Sequence, residues 1–367
     1  MHPVRTIRTV AVLSAVAALA LVAQACGNSR PGRSADPAVP KGHETELVKT
    51  VHGRIKGSGA SFPDAFYQEA VAGLHGVAPR LSVTYEAVGS AAGREAFGQG
   101  LSDFAGTDSL VGAADPIAAG SFRYIPSVAA PIAVVVNLPG VKDLRLAPDT
   151  LAAIFQGDVT RWNDPSIGRD NPTAVLPARE IVVARRADGS GTTKNFTRYL
   201  DRAAGNWRLG AGDTVEWPAR TQGGQHNSGV AQIVLDTTGS IGYVDFGNAK
   251  ELGLATASMR NRAGHWIAPS VTSARAAVDA SRIEGDLTYD PVDAAGAGAY
   301  PITAPTYLLV RSEYRDAPGG RAVVAFVRWL ITDGADTYAA EFGFAPLPER
   351  IRSRALASLD RVRTDRR

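Results

Sequence analysis

The chain has 367 residues, of which 45% are hydrophobic and 20% charged, and it contains one cysteine. That length and balance fit a globular body with room for two cores and exclude a disordered chain, and one cysteine excludes an internal disulfide. The formal net charge is +3, but Arg5 and Arg8 belong to a leader-like start that holds no acid, so the remainder stands at about +1 and makes no case for a nucleic-acid partner.

Residues 1–25 read as a secretory signal peptide. Arg5 and Arg8 form its basic start, and the apolar run over 10–22 is too short for a bilayer, which takes roughly 20 residues. Ala23-Gln24-Ala25-Cys26 follows, a stretch that resembles a bacterial lipobox with Ala23 where a larger aliphatic residue is usual. Cys26 is then a lipid attachment point; a plain signal peptide with an incidental cysteine is the other reading. Two or more acyl chains hold a protein stably on a membrane. Residues 26–50 carry glycine, serine, proline and charge with little apolar content, which predicts a flexible tether.

The body alternates strand-like and helix-like segments. A strand over 54–56 leads into GSGASFP (57–63) and a helix over 64–74, with Pro63 suited to a first helical turn. A strand over 81–87 meets VGSAAG (88–93) and a short helix over 94–99. The strand over 102–106 ends at Thr107-Asp108. Residues 132–136 are β-branched and predict a buried strand. The strand over 181–184 runs into RRADGSGTT (185–193) and a helix over 194–200. Strands follow over 241–244 and 307–310, and a helix over 323–331. The tail after Pro348 holds Arg350, Arg352, Arg354, Arg361, Arg363, Arg366 and Arg367. It reads as a terminal helix with a frayed basic end or as a solvated tail, ahead of any specific nucleic-acid or membrane patch. The alternation predicts an α/β architecture with largely parallel sheets and a ligand beyond the carboxyl ends of the strands.

Three strand ends share one design: glycines, a Ser or Thr, and a helix starting at once, over 57–62, 89–93 and 188–193. Strand, glycine turn and helix in that order point backbone N–H groups and a helix N-terminus at an anion. Ser190, Thr192 and Thr193 add hydroxyls, and Arg186 adds a planar fork of donors suited to an oxyanion. Any one of these loops also fits an ordinary turn with a capping Ser or Thr.

Asp108 sits oddly in such a site, because a carboxylate facing a fully deprotonated anion is repulsive and costly to desolvate. The conflict disappears when the ligand brings a proton. Hydrogen phosphate can donate an O–H to a carboxylate, and sulfate at neutral pH cannot. An acceptor among donors therefore rejects sulfate by going unpaired against it, and rejection of that kind reaches about 10⁴ to 10⁵. Thr107-Asp108-Ser109 is also a good turn sequence, so a turn or helix cap remains open for Asp108.

Those residues resemble the substrate-binding lipoprotein of the bacterial phosphate-specific ABC importer, the PstS family. GSGASFP (57–63) resembles its first phosphate loop, VGSAAG (88–93) its second, SDFAGTD (102–108) the segment with its ligand-contacting aspartate, and RRADGSGTT (185–193) its third loop. FQGDVTRWND (155–164) is similar to a family landmark, as is the run from Asn227-Ser228-Gly229-Val230 to Ile241-Gly242-Tyr243-Val244. The similarity runs from about residue 54 to about residue 350. Two departures are mild: Ser61 stands for a frequent Thr and keeps the hydroxyl, and Ala91-Ala92 replaces a Ser/Gly-rich pair.

The resemblance implies roles. Ser61 would contribute its hydroxyl and backbone, Phe62 its N–H, and Ser90 its hydroxyl. Asp108 would accept the phosphate proton. Arg186 would pair with phosphate oxygens, oriented by Asp188, and Ser190, Gly191 and Thr192 would donate from the third loop. It also implies a two-lobed periplasmic-binding-protein (type II) fold with two hinge crossovers and the ligand in the interlobe cleft. Residues 50–130 plus 305–367 would form lobe I and 131–304 lobe II. Inorganic phosphate, as hydrogen or dihydrogen phosphate, would bridge them and couple binding to closure. The implied partners are the ABC permease subunits with their cytoplasmic ATPase, and the membrane through Cys26 on its extracytoplasmic face. No catalytic residue, metal or cofactor is implied.

Two rivals come from the residues. A phosphate-ester hydrolase would need metal ligands or a covalent nucleophile. The six histidines form no H-x-H or H-E-x-x-H pair, the body has no cysteine, and Ser190 lacks the G-x-S-x-G spacing. A binder of another, sulfate-like oxyanion is the second rival, and Asp108 argues against it. A phosphate sensor or adhesin would keep the same pocket.

Overall fold

The computed structural model describes residues 42–364. The expected signal peptide, Cys26 and the tether up to residue 41 lie outside the described residues. Eight strands make up most of a ten-stranded sheet: β1 (Gly53–Gly59), β2 (Leu81–Glu86), β3 (Phe104–Thr107), β4 (Phe122–Val136), β5 (Val182–Arg186), β6 (Gln222–Gly224), β7 (Ser240–Asp245) and β8 (Thr303–Arg311). In space they run β2-β1-β3-β8-β4-β7-β5-β6.

The expectation of largely parallel sheets holds only at the two ends. There β1 pairs in parallel with β2 and β3, and β5 with β6 and β7. The centre is antiparallel, β3 with β8, β8 with β4, and β4 with β7. The long strands that carry the chain from one half of the sheet to the other must run against their neighbours, a constraint local patterns do not show. β4 makes the crossing: it pairs with β8 from Phe122 to Pro131 and with β7 from Ile132 onward. It is buried from Tyr124 to Val136, as its small and β-branched sequence requires of a strand covered on both faces. The β4–β8 register shifts between Pro305 and Tyr307, so Ser127 and Val128 of β4 stand against the single Thr306. Such a bulge re-aims the residue opposite it.

Six helices matter here: α1 (His43–Val48), α2 (Asp64–Val77), α3 (Ser90–Gly98), α4 (Gly191–Ala203), α5 (Ala317–Trp329) and α6 (Glu349–Leu359). α3 and α4 start at Ser90 and Gly191, four and three residues before the sequence expectation. The first helical positions need no intrahelical N–H bond, so Gly and Ser are accommodated there. The glycine loops are thus partly first turns, which brings Ser90 and Gly191 to helix N-termini. In α6, Ile351, Ala355 and Leu359 lie four apart on one buried face, and Arg352 bonds Asp336 at 2.7 and 2.6 Å. The tail is therefore a packed helix through Leu359.

α1 corrects the tether, which was expected to reach residue 50. Glu44, Thr45 and Val48 are buried. Arg328 of α5 donates to both Glu44 oxygens at 3.0 and 2.8 Å, and the Trp329 indole N–H donates to Thr45 at 3.2 Å. A bidentate, mostly buried pair of this kind outweighs the polar local composition. Glu44→Ala is expected to destabilise the chain by about 2 kcal/mol, the scale of a lost charge-assisted bond. Calorimetric melting reads this; an unchanged transition would mean α1 adds nothing to the body.

Candidate functional site

β1 delivers the first loop. Gly59, at φ +143°, packs directly on the Gly106 backbone, where any side chain would collide. Ala60 then bonds Gly106, its N–H donating to the carbonyl at 2.9 Å. Phe62 is a core residue, 1% exposed and edge-on to Phe344 at 5.4 Å, so only its backbone is free to face a ligand. Ser61 is buried, and its hydroxyl has no hydrogen-bond partner among the described residues. A buried hydroxyl without a partner is costly and calls for one.

The second loop sets Ser90 against Asp108. Ser90 Oγ accepts the Asp108 N–H at 3.2 Å and donates to Asp108 Oδ2 at 3.4 Å. Thr306 Oγ1, aimed by the bulge, donates to Asp108 Oδ1 at 2.6 Å. Asp108 is 3% exposed, so it faces inward. Burial pushes its carboxyl up to about 7, against the downward pull of the Thr306 bond, the Arg186 charge and the Ser90 bond.

The third loop brings the cation. Arg186 closes β5 with its side chain 1% exposed. Its Nε donates to Asp188 Oδ1 at 2.7 Å, its Nη2 pairs with Asp188 Oδ2, and its Nη1 donates to Asn227 Oδ1 at 2.8 Å. Nη1 also reaches Thr192 Oγ1 at 3.5 Å. Burial raises the Asp188 carboxyl, but the Arg186 bonds and charge outweigh it and leave it below the usual range. Ser190 caps α4: its Oγ accepts the Thr193 N–H at 3.2 Å, which leaves its own proton free to donate. Gly191 and Thr192 are the first residues of α4, where N–H groups lack intrahelical partners.

The loops meet closely. A Cβ on Gly191 would lie 2.6 Å from Ser90 Oγ and 2.7 Å from Asp108 Cβ, so only glycine fits there. Asn195 Nδ2 donates to the Asp108 carbonyl at 2.6 Å, and the Ala91 N–H to the Gly189 carbonyl at 3.4 Å. A cavity of about 460 Å³ adjoins Asp108 and is lined also by Lys194, Arg198, Tyr289 and Asp290. Among the described residues, no group of three or more His, Cys, Asp or Glu could hold a metal, and no helix is long and apolar enough to cross a membrane.

Contacts thus join Ser90, Asp108, Arg186, Asp188, Ser190, Gly191 and Thr192 into one group, while Ser61 and Phe62 lie on the loop after β1, whose Ala60 bonds Gly106. Cys26 lies outside the described residues. Sequence reasoning missed Thr306, Asn195 and Asn227 as partners of the cluster. Pro305 inside a strand signals a bulge and so pointed to Thr306; Asn227 stood in a quoted motif without a role; Asn195 carried no signal.

A sequence profile of the PBP superfamily domain matches residues 43–333. The phosphate-binding protein PstS of Xylella fastidiosa (strain 9a5c) is 33% identical over 334 residues, 89% of this chain and 89% of that protein. The chain belongs to the PstS family of phosphate-binding proteins. Another member, from Haemophilus influenzae, is 35% identical over 301 residues, 80% of this chain and 89% of its own. Among solved structures, the phosphate-bound high-affinity periplasmic phosphate-binding protein PfluDING matches with a TM-score of 0.67 at 23% identity, covering 83% of this chain and 93% of its own. A phosphate-binding protein from Stenotrophomonas maltophilia matches at 0.65 and 20% identity, covering 83% and 93%. At those identities the likeness speaks for the fold, and this PstS-family chain has the two-lobed periplasmic-binding-protein fold.

Proposed function

We propose that this chain binds inorganic phosphate outside the cytoplasm and delivers it to an ABC importer. One observation carries the ligand: a buried acceptor, Asp108, stands in a cradle otherwise made of donors. Thr306 donates to one oxygen of that carboxylate and Ser90 to the other, so each oxygen keeps a lone pair for a proton from the ligand. Hydrogen phosphate has one to give. Ser61 Oγ, the Phe62 N–H, Ser90, Ser190 and the Gly191 and Thr192 N–H groups surround the other oxygens, and Arg186 balances the charge with Asp188 fixing its plane.

The lobes of this reading are 50–130 plus 305–367 and 131–304. The β4 crossing at Pro131–Ile132 and the Thr306 bulge support hinges at those boundaries. The Asn195–Asp108 and Ala91–Gly189 bonds then join opposite lobes, as a closed cleft requires. Cys26 carries the lipid that holds the chain on the outer face of the membrane, the permease is the docking partner, and the chain is a binder rather than an enzyme.

Calorimetric titration of the dialysed chain at pH 8 tests the ligand. One phosphate per chain and no heat from sulfate are expected; equal affinity would move the reading to a general oxyanion binder. Overnight incubation with a chromogenic phosphate ester should release no product.

A further inference from the structure

Arg94 takes no part in the cradle, yet it is the most connected guanidinium beside it. It sits on α3, 5% exposed. Its Nε donates to Asp115 Oδ2 at 2.9 Å, and its Nη1 to Thr107 Oγ1 at 3.2 Å and Ser109 Oγ at 2.5 Å. Those three partners belong to 50–130, as Arg94 does, and Thr107 and Ser109 flank Asp108 on either side. The fourth partner does not. Arg94 Nη2 donates to Asp213 Oδ2 at 2.6 Å, and Asp213 lies in the 131–304 segment. The Asp213 carbonyl in turn accepts the Ser190 N–H at 3.0 Å, which ties it to the third loop. Among the described residues, Asp213 Oδ1 is buried without a hydrogen-bond partner and Arg94 is the one donor to that carboxylate.

We propose that Arg94 and Asp213 form a latch across the cleft that slows release of the ligand and holds the two loops flanking Asp108 in register. The inference rests on the phosphate reading and its lobes. A buried ion pair often gains little, because desolvation cancels attraction. The balance differs here. Nε and Nη1 of Arg94 are already held within its own lobe by Asp115, Thr107 and Ser109, so closure has only Nη2 left to desolvate on the arginine side. Nη2 and the Asp213 carboxylate give up hydration together and receive a short, charge-assisted bond in exchange. A contact made only in the closed form slows opening and leaves the encounter with ligand untouched.

The test is stopped-flow phosphate binding and release with Asp213→Ala, Asp213→Asn and Arg94→Lys. Asp213→Ala is expected to release phosphate about tenfold faster with association within about twofold of wild type, since affinity changes of this kind fall mainly on dissociation. Asp213→Asn, which keeps an uncharged acceptor, and Arg94→Lys, which keeps one charged donor, should fall in between. Melting of the ligand-free chain should fall by much less under Asp213→Ala than the tenfold change in release corresponds to, which separates a latch from a general structural role. Small-angle scattering of the ligand-free chain should show the Asp213→Ala ensemble more open than wild type. Release rates equal to wild type, or a melting loss that accounts for the faster release, would overturn the latch. A wild-type chain that takes up no phosphate in the same titration counts instead against the phosphate reading, and the latch then stands or falls on the scattering: identical profiles overturn it.

Discussion

Arg186→Ala is expected to weaken phosphate binding by about three orders of magnitude, in line with the roughly 2–5 kcal/mol lost when one partner of a buried, hydrogen-bonded charge pair is removed. Two effects add. On the phosphate reading the ligand loses the guanidinium that balances its charge, and Asp188 loses the partner that neutralises it. Asp188 is only 12% exposed at its side chain, and beyond Arg186 its Oδ1 accepts the His226 N–H at 3.2 Å. An unpaired carboxylate then faces an incoming anion in a site poor in water, so attraction turns to repulsion. Arg186→Ala/Asp188→Ala should recover part of the affinity by removing that repulsion, and Arg186→Lys should recover less than a conservative change suggests, since one ammonium cannot satisfy Asp188, Asn227 and ligand in a single plane. Titration calorimetry on the three variants reads the order. If Arg186→Ala binds phosphate within about tenfold of wild type, Arg186 is a structural ion pair and not a ligand group.

The cradle was legible because its chemistry is local. Each anion loop is a strand end, a glycine turn and a helix start within about ten residues, a span over which sequence order is spatial order. Asp108 was legible through its conflict with that chemistry. The features missed share the opposite property. Thr306 reaches Asp108 across 198 positions, Asn195 across 87, and Asp213 reaches Arg94 across 119. No window of the chain contains both partners. The same reason explains the sheet: each parallel end was visible as a strand–helix alternation, while the antiparallel centre depends on β4 and β8 meeting from distant parts of the chain. The error at α1 is of another kind. Residues 43–48 look polar because Glu44 is charged, and its burial makes sense only beside Arg328, 284 positions away.

Discrimination against sulfate is expected to collapse as pH falls through about 7, the value to which burial lifts the Asp108 carboxyl. Above it the side chain is an ionised acceptor, and a sulfate oxygen meets it with no proton between them. Below it the carboxyl carries a proton and can donate to that oxygen, so the penalty vanishes. Asp108→Asn should show the low-pH behaviour at every pH. Its amide oxygen can still accept from Thr306 while its NH₂ donates inward, so phosphate affinity falls modestly and selectivity falls from about 10⁴ to within about tenfold. Stability carries the same signature with a definite sign. The folded-state value lies above the ordinary 3.8, so the folded chain binds the extra proton, and stability falls as pH rises from about 4 to about 7. Asp108→Asn removes that burden. The ligand-free variant should therefore match wild type near pH 4 and exceed it at pH 8 by on the order of 4 kcal/mol, at about 1.4 kcal/mol for each unit of displacement. Denaturant melts at the two pH values, run beside paired phosphate and sulfate titrations, give both readouts. Sulfate selectivity in wild type that stays flat from pH 5 to pH 8 would remove Asp108 from the recognition mechanism.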